Sequence, residues 1–221
     1  LSIHVREVIA QLATEDSICS GLPYTFGGGA SQDVHAACYR GYYWDWGDNT
    51  RPDKNDIGIA QHGYASPGEY LVSFFVEDIN GCIDSTSAEI EVFGIQANYG
   101  MDVITGCLPL EIQFTDSSTA DLEIVNWSWS WNDGSPNSDE VDATHTFFDV
   151  IYDDEGEIVP YEVMLTVVDE LGCADIEIQS VLPIVPNAGF NLVFGDEICV
   201  GEESSFMAFE SPPMQYSWDF G

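Results

Sequence analysis

The feature that most constrains this chain is a strip of aromatic side chains at every second position, present three times. It reads Tyr42-Tyr43-Trp44-Asp45-Trp46-Gly47-Asp48, then Trp127-Ser128-Trp129-Ser130-Trp131-Asn132-Asp133, then Tyr216-Ser217-Trp218-Asp219-Phe220-Gly221. A strand sends alternate side chains to the same face. Tyr42, Trp44 and Trp46 therefore share one face, and so do Trp127, Trp129 and Trp131. Three copies mark an internal repeat.

Other landmarks fall into the same register. Cys19, Cys107 and Cys199 recur at spacings of 88 and 92 residues, each followed seven positions later by Phe26, Phe114 or Phe206. His62-x-Tyr64 returns as His145-x-Phe147. The longest alternating runs, Tyr70 to Val76 and Tyr161 to Val167, each lead into an acid and a Gly-Cys pair: Asp78 with Gly81-Cys82, and Asp169 with Gly172-Cys173. The period is about 90 residues, with roughly seven short period-2 runs divided by Gly, Asn, Asp, Pro and Ser. A weak helical period appears only near Val5 to Leu12. The expected fold is all-β: tandem immunoglobulin-like sandwiches with a buried Trp on the third strand. The expected units are a last strand of a preceding repeat at 1–7, repeat one at 8–93, repeat two at 94–186 and the start of a third at 187–221. The chain begins inside an alternating stretch and ends inside an aromatic strand, so a window on a longer polypeptide is expected. Repeat two carries an insertion at 149–159, read as a hairpin around an acidic, Gly-containing turn. The linkers Phe93-Gly94-Ile95 and Leu182 to Pro186 are short and stiff, and predict a semi-rigid rod.

Charge narrows the partners. The chain has 39 acidic residues against 4 basic ones, a net charge of −35. A nucleic-acid binder needs a Lys/Arg surface, and an anionic bilayer would repel this one. No apolar run is long enough to span a membrane as a helix. The acids are interleaved with Val, Ile, Phe and Trp, unlike a disordered acidic tail. With 45% hydrophobic residues, a packed core is expected.

The motif set Trp44-Asp45-Trp46-Gly47-Asp48, His62-x-Tyr64, Gly68-x-Tyr70-x-Val72 and Asp78 to Gly81 resembles the PKD (polycystic kidney disease) domain. The cysteine-bearing form is similar to tandem PKD repeats of very large Bacteroidota surface and secreted proteins, including gliding adhesins and type IX secretion cargo. Repeat two departs from the pattern with Ser130 and Asn132 in place of Asp and Gly. Core-structural roles are expected for Trp44, Trp129 and Trp218, which alternate onto the buried face, and for Tyr70, Tyr161, His62 and His145, with the histidine nitrogens expected to bond backbone.

Six cysteines allow fifteen pairings. Bridging Cys19 to Cys82 within repeat one would join opposite ends of a sandwich, roughly 25 Å apart at about 3.3 Å per strand residue, whereas a disulfide needs Cα atoms within about 7 Å. In a head-to-tail array the end of one repeat abuts the start of the next. The expected bridge is therefore Cys19–Cys173, between repeats. Cys107 and Cys199 would find partners beyond residue 221. Cys82 would pair with Cys38, the alternative being a cysteine of a preceding unit.

No nucleophile, metalloprotease or phosphate-loop motif is present, and no enzymatic activity or catalytic residue is expected. Calcium is the one cofactor worth testing: Asp48, Asp53 and Asp56, and Asp153 and Asp154 at the insertion tip, supply hard oxygens in turns. Solvated turns explain the same residues. Asn126-Trp127-Ser128 fits a glycosylation sequon on a core strand, and Asp16-Ser17-Ile18 and Asp84-Ser85-Thr86 fit short O-glycosylation motifs. The expected function is a structural segment of an extracellular filament or cell-surface adhesin stalk. Its partners would be neighbouring repeats and other copies. The alternative is an accessory spacer or polysaccharide-binding PKD module of a secreted hydrolase.

Overall fold

Alternating burial along the strands builds two separate cores, one for each full repeat. The computed structural model describes residues 9–30, 39–56, 58–184, 189–192 and 206–209, and every regular element among them is a strand. The first repeat runs β1 (Ala10–Ala13), β2 (Ser17–Cys19), β3 (Tyr24–Ala30), β4 (Tyr39–Asp45), β5 (Asp53–Asn55), β6 (Ile59–His62), β7 (Gly68–Asp78) and β8 (Ile83–Phe93). The second runs β9 (Ile95–Gln96), β10 (Tyr99–Met101), β11 (Thr105–Cys107), β12 (Leu110–Asp116), β13 (Thr119–Ala120), β14 (Ile124–Ser130), β15 (Ala143–Phe147), β16 (Ile151–Tyr152), β17 (Ile158–Val159), β18 (Tyr161–Asp169) and β19 (Ala174–Ile184). A further pair, β20 (Gly189–Leu192) and β21 (Phe206–Phe209), lies in the expected third unit.

Each repeat is two sheets face to face. In repeat one, β2-β8-β7-β4-β5 packs on β1-β3-β6; in repeat two, β11-β19-β18-β14 packs on β10-β12-β15. The inward side chains obey the period of two. Val72, Phe74 and Val76 of β7 are fully buried, as are Val163, Leu165 and Val167 of β18. Phe26 packs on Trp44 and Trp46, with ring centroids 6.3 and 5.0 Å apart, and Phe114 packs on Trp129 and Trp131 at 5.6 and 5.1 Å. Such tilted pairs contribute about 0.5–1.5 kcal/mol each beyond the area they bury.

The helical period near Val5 to Leu12 does not hold where it can be followed. Ala10–Ala13 pair antiparallel with β3, and Ala10 donates its N–H to Asp84 Oδ2 at 2.7 Å. Burial of Ala10 and a filled sheet edge override a weak local preference. The same anchor recurs in repeat two, from Ala97 N–H to Asp175 Oδ2 at 2.8 Å. The insertion folds as read: β16 and β17 form a hairpin closed by the Asp153 carboxylate, which accepts the Glu155 and Glu157 amides.

Candidate functional site: the stapled junction

Two short structures meet where repeat one ends and repeat two begins. The first is the edge strand β2, parallel to the end of β8 with Ser17 opposite Glu91 and Cys19 opposite Phe93. This register carries Cys19 to the end of repeat one. The second is the turn from β18 to β19. Asp169 Oδ1 accepts the Leu171 and Cys173 amides at 3.0 and 2.8 Å, and Gly172 takes the positive φ (91°) that closes the turn. The carboxylate replaces turn amides' water contacts and holds the turn that carries Cys173, itself buried. Cys19 and Cys173 form a disulfide with Cα atoms 5.5 Å apart.

The chain between the two repeats leaves no slack. Gly94 is the single residue between β8 and β9. Its N–H donates to Asp121 Oδ2 at 2.7 Å, and its carbonyl accepts the Asp121 amide at 3.0 Å. A Cβ at Gly94 would stand 2.8 Å from Pro67 Cγ of repeat one and 3.3 Å from Asp121 Oδ2 of repeat two. Only glycine fits so close an approach. A groove of about 390 Å³ opens beside it, between Ser20 and Pro67 on one side and Thr119, Ala120 and Asp121 on the other.

The remaining cysteines divide. Cys82 and Cys107 are exposed free thiols. Cys38 and Cys199 lie outside the described residues, so the Cys38–Cys82 pairing is not described, although β4 does begin at Tyr39 opposite Asp78.

A second constellation sits in each core. His62 stacks flat on Trp46 (4.5 Å, 2°) and His145 on Trp131 (4.3 Å, 2°). His62 Nε2 is 2.8 Å from Asp48 Oδ2, and His145 Nε2 is 2.7 Å from Asp133 Oδ2. The expectation that these rings bond backbone is therefore corrected: each bonds a carboxylate. Asp48 also accepts the Thr50 amide and hydroxyl, and Asp133 those of Ser135. Partial burial opposes charge on Asp48, but Thr50 and His62 outweigh it and hold the carboxyl below its usual range. Asp133 is lowered in the same way, Ser135 and His145 outweighing burial. The turn needs two left-handed residues. Gly47 (75°) and Asn49 (64°) supply them in repeat one, and Asn132 (58°) and Gly134 (81°) in repeat two. The Asn132 departure is thus neutral in conformation, because Asn tolerates this region.

Ser135 Oγ lies 3.5 Å from His145 Nε2, which invites comparison with a nucleophile triad. A triad places nucleophile and orienting carboxylate on opposite ring nitrogens. Here Ser135 and Asp133 approach the same nitrogen, and the hydroxyl donates to Asp133. The arrangement is a side-chain clamp on the turn.

Trp44 and Trp129 are fully buried; Trp218 lies outside the described residues. Tyr161 is buried and Tyr70 half-buried, their hydroxyls donating to the Asp149 and Ser66 carbonyls. Asp53 accepts the Trp46 indole N–H at 3.1 Å, while Asp56 and Asp154 are exposed. Among the described residues no three His, Cys, Asp or Glu side chains converge as a metal site would require. The sequence reading named Asp169 as a repeated landmark without giving it a role, although it is buried at 1% exposure, and it did not single out Asp121, which holds Gly94 of the linker. The signal for Asp169 was its place in the repeated Asp-x-x-Gly-Cys.

The two sandwiches are of the immunoglobulin-like class. Residues 5–93 and 96–182 each match the PKD domain, and the chain belongs to that family. Several solved structures are similar. The fibronectin(III)-like modules of Clostridium thermocellum CbhA are 12% identical, with 80% of this chain and 94% of theirs covered and a TM-score of 0.35. The amphioxus IgVJ-C2 molecule is 14% identical over 75% and 99% of the two chains, with a TM-score of 0.32. The Yersinia pseudotuberculosis adhesin InvE is 13% identical over 81% and 58%, with a TM-score of 0.26.

Proposed function

We propose that this chain is a non-enzymatic, tension-bearing segment of an extracellular repeat array, in a stalk or filament that projects a distal part from a cell surface. The observation that carries this reading is the Cys19–Cys173 bond across the junction. Force entering from the N-terminal side reaches Cys19, crosses the sulfur–sulfur bond to Cys173 and leaves towards the C-terminal side. Residues 20–172, with most of both cores, lie off that covalent path. The clamped Gly94 then fixes how one sandwich sits on the next, so that the units follow one another as a semi-rigid rod. A disulfide of this kind persists in an oxidising, extracellular setting. The partners in this reading are neighbouring repeats of the same polypeptide and other copies in a filament. Its carriage on a large Bacteroidota surface protein, exported by the type IX route, belongs to the same proposal.

Small-angle scattering of the oxidised and the reduced chain tests it. The oxidised form is expected to scatter as one rigid, elongated particle and the reduced form as a broader distribution of shapes. Identical curves would show that the staple does not set the junction, and would overturn the reading.

A further inference from the structure

The two halves of the Cys19–Cys173 staple each have a twin in the other repeat. Cys107 is the twin of Cys19. It ends β11, which runs parallel to the end of β19 with Thr105 opposite Leu182 and Cys107 opposite Ile184. The hydrogen bonds correspond as well: Glu91 N–H donates to the Asp16 carbonyl at 2.9 Å, and Leu182 N–H to the Ile104 carbonyl at 3.1 Å. The twin of Cys173 is Cys82. Asp78 Oδ1 accepts the Asn80 and Cys82 amides, Gly81 takes φ 84°, and Asp78 N–H donates to the Cys82 carbonyl at 2.9 Å, as Asp169 N–H does to the Cys173 carbonyl at 3.0 Å.

A second observation concerns the surface around Cys107. Ile104, Leu182 and Ile184 are all exposed there, at 61%, 44% and 44%. The position of Leu182 is held in repeat one by the charged Glu91, by the same register. Cys107 thus stands free at an apolar end of repeat two, in the setting that Cys19 occupies at the stapled end of repeat one.

We infer that Cys107 is one half of a second junction staple, and that its partner is the cysteine of an Asp-x-x-Gly-Cys turn on another repeat. This deepens the tension-bearing reading and rests on it. The bond forms as two thiols give up two protons and two electrons. A disulfide-bearing oxidant, small molecule or protein, accepts the electrons by thiol–disulfide exchange and leaves as a dithiol. Such a bond would fasten repeat two to its neighbour as Cys19–Cys173 fastens repeat one to repeat two.

The test is disulfide mapping of the full natural polypeptide, alkylated before any reduction, digested and read by mass spectrometry. The expected result is Cys107 joined to a peptide containing Asp-x-x-Gly-Cys. If that peptide carries Gly81-Cys82, the partner is a second copy of this chain; a sequence of that form other than those ending in Cys82 and Cys173 places it on another repeat. Cys107 recovered as an alkylated thiol, or joined to Cys38, Cys173, Cys199 or any cysteine outside such a turn, overturns the inference. The Cys19–Cys173 peptide in the same digest keeps the two readings apart. Its absence counts against the tension-bearing function, whereas its presence beside a free Cys107 counts only against the second staple.

Discussion

Cys19 and Cys173 are 154 residues apart in sequence, yet their Cα atoms lie 5.5 Å apart across the boundary between two domains. Each domain has its own core, so the bond adds little to either sandwich and much to their relation. Replacing both cysteines by serine should leave the two cores folded. It should remove the shared part of their stability, about 2–4 kcal/mol on the usual scale for a disulfide. Calorimetry would then show two separated, less stable transitions in place of a coupled one. An unchanged thermogram would mean that the repeats are independent despite the bond.

The carboxylates of Asp48 and Asp133 make the protein acid-sensitive. Their folded-state pKa values are lowered, while the unfolded value is about 3.9. Their contribution is therefore complete above the unfolded value and is lost as pH falls below about 4 through the folded one. Asp48→Asn and Asp133→Asn should each cost about 1–2 kcal/mol at neutral pH and flatten the acid limb of a stability-versus-pH curve. A variant whose acid limb matches that of the parent would remove the clamp from this account.

Tyr99 should limit stability at the alkaline end. Burial pushes its hydroxyl up to about 12, with Glu177 adding to the rise and the Gln179 amide working against it. Its folded value exceeds the unfolded value of about 10, so stability declines as pH rises through that window. The hydroxyl donates to the Val163 carbonyl and accepts the Gln179 amide. Tyr99→Phe strands both and should cost about 1–3 kcal/mol, read as a fall in the denaturant midpoint. It should also flatten the decline above pH 10.

The left-handed turn residues give opposite predictions at matching positions. Gly47→Ala meets a positive φ and a Leu71 carbonyl 2.7 Å from the new Cβ, and should cost about 2 kcal/mol or more. Asn132→Gly, with φ 58°, should stay within about 0.5 kcal/mol. Equilibrium unfolding of both variants checks the pair, and a tolerated Gly47→Ala would refute the stated geometry.

Calcium removal is expected to leave the melting temperature unchanged. The Asp48, Asp53 and Asp153 oxygens already accept the Thr50, Trp46, Glu155 and Glu157 donors. A downward shift on adding chelator would restore a structural cation.

Much of this was legible in the sequence because repetition exposes it. The spacing of Trp44 and Trp129, and of Cys82 and Cys173, fixed a register, and the register pointed to the bond between repeats. The alternation in Tyr161 to Val167 was enough to place a core strand. The clamp was not legible. His62 and Asp48 come from different strands and turns, and nothing in either segment says that Trp46 brings them together. Nor was the tight fit at Gly94, which depends on Pro67 and Asp121 approaching from separate domains. Such contacts are set by tertiary packing, to which local patterns are blind.

Pulling the chain by its two ends tests the central claim most directly. With the staple intact, only residues outside the Cys19–Cys173 loop should extend. After reduction the 154-residue span should be released, adding roughly 540 Å of contour at about 3.5 Å per residue. The account predicts that increment in reduced molecules only. Its full appearance in oxidised molecules would contradict a covalent load path around the two cores.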